Sequence, residues 1–350
     1  MIQKISDNLI FKALKFIKHG QLKVTNYDGK KYYFGEKDKN LNVELIINKP
    51  GLTFSIIKKG SIGLAEAYMR GEFETNNLSD LIELTAKNIN IIYKFSGVFD
   101  LSFINYIKNI FLKNIKKNIK NYISKHYDLG NEFFSLWLDK TLTYSSAIFE
   151  ENKNNLEEAQ KNKYKKLINL IKPKTGDKIL EIGCGWGGFS EYLAKNYDVI
   201  VDCITISKKQ FEYTKKRIFK NGLNNKVNVM FLDYRDLKDK YDKLASIEMI
   251  EAVGEKYLDQ YFRTIKKSLK PDGYAAIQGI TIRDDLFDRY RNSEDFIQKY
   301  IFPGGFLPSL NQIKQISKNN ELNLEKINFY SDDYAKTLAS WRNNFLHAWD

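Results

Sequence analysis

Lys178-Ile179-Leu180-Glu181-Ile182-Gly183-Cys184-Gly185-Trp186-Gly187-Gly188-Phe189 is the stretch that decides the fold. Lys178–Ile182 is apolar enough to lie inside a parallel sheet, and Gly183, Gly185 and Gly188 fit G-x-G-x-x-G at its end. Glycine suits a sharp turn where a ligand approaches the backbone. A helix expected over residues 188–195 would aim its first amides at that ligand. The pattern serves NAD, FAD or S-adenosylmethionine, and also a plain strand–helix corner. Two details favour S-adenosylmethionine. Glu181 puts a carboxylate where the cationic end of that molecule can be met, directly or through water. A dinucleotide fold also wants an acid closing its second strand to hold the ribose. Here residues 199–204 close on Thr205-Ile206-Ser207, and Asp202 lies inside the strand.

With 350 residues, 43% hydrophobic and 14% aromatic, the chain can hold two cored domains. Its two cysteines, Cys184 and Cys203, make no disulfide framework, so a reduced, cytoplasmic setting is expected. No run of about 18 apolar residues suggests a membrane span, and residues 1–20 lack the long apolar core of a signal peptide. The net charge of +13 has two readings. One is attraction to an anionic surface, nucleic acid or phospholipid. The other is a compositional bias toward Lys, Asn and Ile. No nucleic-acid motif is present, so that partner is not expected, and no metal is expected.

In chain order, residues 5–18 read as an amphipathic helix, and residues 21–27 and 31–34 as a hairpin around Tyr27-Asp28-Gly29-Lys30. Residues 41–48 and 51–58 read as further strands around Lys49-Pro50, and 62–69 and 78–87 as helices. This makes a small α+β domain over 1–95, expected to bind or support. Residues 96–165 read as a helical linker and lid. Within them, 102–125 is a lysine-rich amphipathic helical pattern suited to an anionic bilayer, or equally a linker helix with a solvated lysine face. Residues 126–147 mix aromatics, hydroxyls and acids as a closing lid does. Residues 166–350 alternate strand and helix, with strands at 199–204, 227–232, 244–247 and 274–280 after the first. That pattern predicts a doubly wound, Rossmann-like α/β sheet whose ligand lies at the carboxyl ends of its strands.

The segments expected to converge there, with others along the chain, resemble the cyclopropane-fatty-acyl-phospholipid synthase family of S-adenosylmethionine-dependent methyltransferases. The resemblance covers nearly the whole chain. It runs through Tyr127-Asp128-Leu129-Gly130-Asn131, Thr143-Tyr144-Ser145, the glycine turn, Thr205-Ile206-Ser207-Lys208-Lys209-Gln210, Asp233-Tyr234-Arg235-Asp236, Ile250-Glu251-Ala252-Val253-Gly254 and Lys299-Tyr300-Ile301-Phe302-Pro303-Gly304-Gly305. It implies methyl transfer to the double bond of an unsaturated acyl chain in a membrane phospholipid, followed by proton loss that closes a cyclopropane ring. The cofactor would be held by Tyr144, Ser145, Glu181, Gly183, Cys184, Gly185, Trp186, Gly187, Gly188, Thr205, Ser207, Gln210, Tyr234 and Arg235. The cation and base end would use Glu251, Tyr334 and the backbone at Ile247. The resemblance also implies a peripheral enzyme on the cytoplasmic face of an anionic membrane, and leaves a homodimer open.

In the resembled enzymes a bicarbonate ion serves as base, ringed by a Cys, a Glu, a His and a Tyr. Here Ser146 falls at the Cys position and Gln278 at the His position, while Glu251 and Tyr334 remain. Neither replacement titrates near neutral pH. Three outcomes are compatible. Bicarbonate binds through Ser146, Gln278 and Tyr334; or Glu251 acts as base directly; or proton loss takes another route, giving a methyl-branched or methylene product. A silent lipid-binding relative and a small-molecule N-methyltransferase are the readings from other classes. Ser340-Trp341-Arg342-Asn343-Asn344-Phe345 reads as the opening of a long helix. Members of the resembled family continue for some tens of residues, which leaves two readings, a partly exposed acyl pocket or a truncated reading frame.

Overall fold

The structure is a computed structural model that describes residues 2–37, 40–89, 130–151 and 155–349. The basic pattern at 102–125 and most of Tyr127-Asp128-Leu129-Gly130-Asn131 lie outside the described residues. Contacts divide the chain into two units, Met1–Ile115 with Ser293–Lys299, and Lys116–Asn292 with Tyr300–Asp350. Residues 293–299, read from sequence as part of the 166–350 domain, thus cluster with the first unit. There Lys299 Nζ meets Glu66 Oε1 at 2.7 Å.

The first unit opens with helix α1 (Ile2–Leu14). Strands β1 (Gln21–Thr25) and β2 (Lys31–Gly35) then form the expected hairpin, with Gly29 at φ 79 in its turn. Strand β3 (Asn42–Ile47) lies parallel to β1, and β4 (Phe73–Thr75) antiparallel to β3. Leu22, Val24, Val43 and Leu45 alternate inward as a half-buried sheet requires. Between β3 and β4 run helices α2 (Leu52–Lys59) and α3 (Ser61–Met69), and α4 (Leu78–Lys87) follows. The segment 51–58, read from sequence as a strand, is therefore helical. Its β-branched residues suggested a strand, but Leu52, Thr53 and Ile56 pack inward at helical spacing, and Gly51 turns the chain into the helix at φ 118.

The second unit holds five parallel strands: β5 (Lys178–Ile182), β6 (Ile200–Thr205), β7 (Val227–Phe231), β8 (Tyr241–Ile247) and β9 (Leu269–Gln278). They lie in the order β7-β6-β5-β8-β9. Strand β5 is central, and its last four residues are buried, as an interior parallel strand must be. The expected turn at Lys270-Pro271-Asp272-Gly273 is an irregularity within β9, where Asp272 adopts φ 61 and the register against β8 shifts.

Helices pack on the sheet. They include α5 (Asn131–Ser135), α6 (Leu156–Ile171), α7 (Gly188–Asn196), α8 (Lys208–Lys220), α9 (Ile250–Val253), α10 (Leu258–Ser268), α11 (Leu310–Asn319) and α12 (Ser331–His347). Asn155 caps α6 by accepting from the Glu158 amide at 3.0 Å, with Glu157 and Glu158 complementing its dipole. The stretch 340–345, read as a helix opening, is the later part of α12, which begins at Ser331 and carries Tyr334 in its first turn. Among the described residues no helix is long and apolar enough to cross a membrane.

Candidate active site

Because β6 and β8 flank β5, the crossovers leave β5 to opposite sides, and a crevice opens beyond its carboxyl end. A cavity of about 680 Å³ occupies that position. Every predicted cofactor residue borders it except Gly187. The turn explains the exception. Gly183 and Gly185 adopt φ 81 and 53, and open space surrounds the point where a Gly185 Cβ would stand. That is a cradle which a side chain would fill. Gly187, at φ 80, faces the protein instead, and a Cβ there would lie 2.5 Å from Thr214 Cγ2. The Gly183 and Cys184 amides both donate to Ile204 O at 3.0 Å, which pins the turn to the end of β6.

Glu181 is buried below the turn and accepts from the Ser190 hydroxyl. Burial pushes its carboxyl up to about 7, against the pull of that hydrogen bond. Ser207 caps α8 through the Gln210 amide at 3.3 Å, and Thr205 Oγ1 donates to Gln210 Oε1 at 2.9 Å. Arg235 is held by Asp233 in a two-point pair at 2.9 and 2.6 Å. Asp202 is spent within the fold, bound by Lys178 Nζ at 2.9 Å and the Tyr241 hydroxyl at 3.0 Å.

Of the residues predicted for the reacting end, only Ile247 borders the cavity. Ser146, Glu251, Gln278 and Tyr334 instead surround Glu248, which belongs to the strand-end segment 248–251 expected to converge on the ligand but was given no role of its own. Its Oε1 accepts from the Ser146 amide at 2.7 Å and from Gln278 Nε2 at 3.0 Å. Gln278 Nε2 also reaches Ser146 O at 3.0 Å. Glu248 itself borders the cavity. Its backbone sits at φ 48, a region that disfavours any side chain, held there by its amide's 2.8 Å bond to Gln278 O.

Burial pushes the Glu248 carboxyl upward, while Lys163, the Ser146 amide and Gln278 pull it back. Glu251 accepts from the Ile280 amide through Oε1, and its buried Oε2 has no hydrogen-bond partner among the described residues. Burial and the Glu248 charge push Glu251 up to about 8. Burial, then Glu248, likewise raise Tyr144 to about 12, and Tyr334 is raised by burial, Glu248, Tyr144 and Glu251. Arg263 bonds Asp259 on its own helix.

Lys163 was also missed. It is fully buried, donates to the Ser145 hydroxyl, and is lowered to about 7 by burial. A signal was present. On α6 the inward stripe reads Leu156, Ala159, Gln160, Lys163, Tyr164, Leu167, Ile168 and Ile171, so one lysine stands on an otherwise mostly apolar face. For Glu248 the only signal was a second acid at the end of a buried strand. Tyr144 borders the cavity at this end, and Trp137 and Trp341 pack on it, the three centroids 5.3 to 5.4 Å apart.

Residues 114–350 match the family model described as mycolic acid cyclopropane synthetase, and residues 9–94 match a domain family of unknown function. The chain is 35% identical over 313 residues to the cyclopropane-fatty-acyl-phospholipid synthase of Escherichia coli, covering 87% of this chain and 77% of that one. It is 31% identical over 323 residues to the tuberculostearic acid methyltransferase UfaA1 of Mycobacterium tuberculosis, covering 87% and 74%. Among solved structures it resembles the mycolic acid cyclopropane synthase CmaA1 complexed with SAH and CTAB, with a TM-score of 0.61, 28% identity, and coverage of 65% and 83%.

Proposed function

The chain belongs to the mycolic acid cyclopropane synthetase family of S-adenosylmethionine-dependent methyltransferases, and we propose that it converts the double bond of an unsaturated phospholipid acyl chain into a cyclopropane. The observation that carries this is the company of one cavity. A glycine cradle fit for the cofactor and a buried carboxylate on an aromatic-walled end share the same 680 Å³ space. S-adenosylmethionine supplies an electrophilic methyl group there. The turn 183–188, Glu181, Ser207, Gln210, Tyr234 and Arg235 would bind it, with Tyr144 and Ser145 covering it.

The acyl double bond gives its π electrons to the methyl carbon, and positive charge develops on the chain. Tyr144 offers a ring face at that end, and Trp137 and Trp341 packed on it help to keep out water that would trap the cation. Glu248 supplies negative potential. The Ser146 amide and Gln278 position it, the Ile280 amide holds Glu251 beside it, Tyr334 stands near both acids, and Ile247 borders the same cavity. The +13 charge and the basic pattern at 102–125 support peripheral docking to the anionic cytoplasmic face of a membrane.

A second reading is a methyl-branched product, favoured by the Ser146 and Gln278 departures and by the likeness to UfaA1. Expression in a host without cyclopropane lipids, with acyl chains resolved by gas chromatography against standards, tests both. A cyclopropane peak supports the first reading, a branched or methylene peak the second, and unaltered acyl chains overturn both.

A further inference from the structure

Two of the groups that would ring a bicarbonate are already engaged. The Ser146 amide and the Gln278 side chain donate to Glu248 Oε1 at 2.7 and 3.0 Å, and Glu251 and Tyr334 stand close enough to feel its charge. A free oxyanion placed among them would be a second anionic group beside the buried Glu248 carboxylate and would face Glu251, which that charge already pushes upward, with Lys163 the neighbouring cation in this set. Like charges in a dry site raise one another's proton affinity and repel a further anion. The residues present therefore do not fit an added bicarbonate.

We propose that the Glu248 carboxylate takes the place of that ion, so that this enzyme carries its general base on its own chain. The inference rests on the alkene-methylating function given above. Its geometry is specific. Glu248 borders the cavity, and two donors hold one oxygen of its carboxylate. The strained φ of 48 is consistent with a residue kept for its side chain. Gln278, a departure when read as a bicarbonate ligand, is a hydrogen-bonding support for a carboxylate through its side chain, whereas Ser146 contributes its main-chain amide and its hydroxyl donates to Ala147 O at 3.1 Å.

The step balances. The π pair forms the new carbon–carbon bond as the sulfur–carbon pair leaves with sulfur. A carbon–hydrogen bond of the added methyl then breaks. Its electron pair closes the ring at the positive acyl carbon, and its proton passes to Glu248. Glu248 returns that proton to water once the acyl chain has left.

The test uses the whole chain with S-adenosylmethionine and vesicles of dioleoyl phosphatidylglycerol in carbonate-free buffer. Wild type is expected to form product at a rate that added bicarbonate does not change. E248Q is expected to lose at least 100-fold in product formation while binding S-adenosylmethionine within about twofold of wild type by calorimetry. A wild-type rate that rises severalfold with bicarbonate, or an E248Q rate above half of wild type, overturns the proposal. E248G provides a second variant, because glycine removes the carboxylate without backbone strain at this φ. Labelled bicarbonate should show broadened carbon resonances with E248G and not with wild type. Broadening by both, or by neither, overturns the proposal. This binding comparison decides the matter even if no lipid is turned over, an outcome that sinks the alkene-methylating function instead.

Discussion

Gln278 holds Glu248 from both ends: its main-chain carbonyl accepts the Glu248 amide at 2.8 Å, and its side-chain amide donates to Glu248 Oε1 at 3.0 Å. The first bond fixes an unfavourable backbone and the second fixes the charge. Strand β9 thus sets the position and the proton affinity of an acid at the end of β8.

Replacing Gln278 by leucine keeps the volume and removes the donor. Glu248 then retains the Ser146 amide, with Lys163, Glu251, Tyr144 and Tyr334 still facing it. A hydrogen bond to a charged group is worth about 1.5–3 kcal/mol, which corresponds to an upward move of roughly one to two pH units. The acidic limb of the rate profile of Q278L should move to higher pH by that amount, with S-adenosylmethionine affinity little changed. An unmoved limb would show that Gln278 does not tune the base.

The glycine turn separates two effects. Gly187 and Gly185 both have positive φ, but only Gly187 meets a neighbour. G187A should lower the thermal midpoint of the ligand-free protein, since strain of about 1–3 kcal/mol adds to the clash with Thr214. G185A should melt closer to wild type and lose at least tenfold in S-adenosylmethionine affinity, since its methyl group enters the cavity. Melting curves and calorimetry on the two variants check this, and equal melting points would contradict it.

Glu181 makes stability depend on pH. Its folded carboxyl titrates near 7, against 4.5 for an ordinary one. Between those values the folded state holds more protons than the unfolded chain, so stability falls as pH rises from 4.5 to 7 and levels off above. The contribution is about 3 kcal/mol. Denaturant unfolding of the ligand-free protein should show E181Q declining less than wild type between pH 5 and pH 8. Parallel declines would mean that Glu181 is ionised at low cost.

The doubly wound sheet was legible because glycine spacing and the strand–helix alternation after residue 176 follow from local chemistry. The lining of the cavity was legible for the same reason: the ends of parallel strands must converge. The reacting end was harder to read. Motif matching pointed to Glu251, yet Glu248, three residues earlier, is the acid that borders the cavity. The difference depends on how a strand ends and a short helix begins, and on a φ of 48 that periodicity does not reveal. Segment 51–58 failed similarly, because β-branched residues fit a strand locally while tertiary packing made a helix.

Glu248 and Glu251 form a buried pair whose protons come off jointly. Two donors and Lys163 face Glu248, whereas Glu251 has the Ile280 amide on Oε1 and a partnerless Oε2. The ionised form is therefore better supported at Glu248, and the proton belongs at Glu251, which is raised to about 8. Glutamine mimics a protonated acid, so E251Q should keep at least a tenth of the wild-type rate at pH 7, where E248Q keeps a hundredth or less. Raising the pH through 8 ionises Glu251 beside Glu248 in wild type and should produce an inflection in the rate. E251Q lacks that carboxyl and should lose the inflection near 8, keeping only a change lower down where Lys163, lowered to about 7, titrates. An E251Q variant as inactive as E248Q, with its cofactor affinity intact, would place the working charge on Glu251 instead.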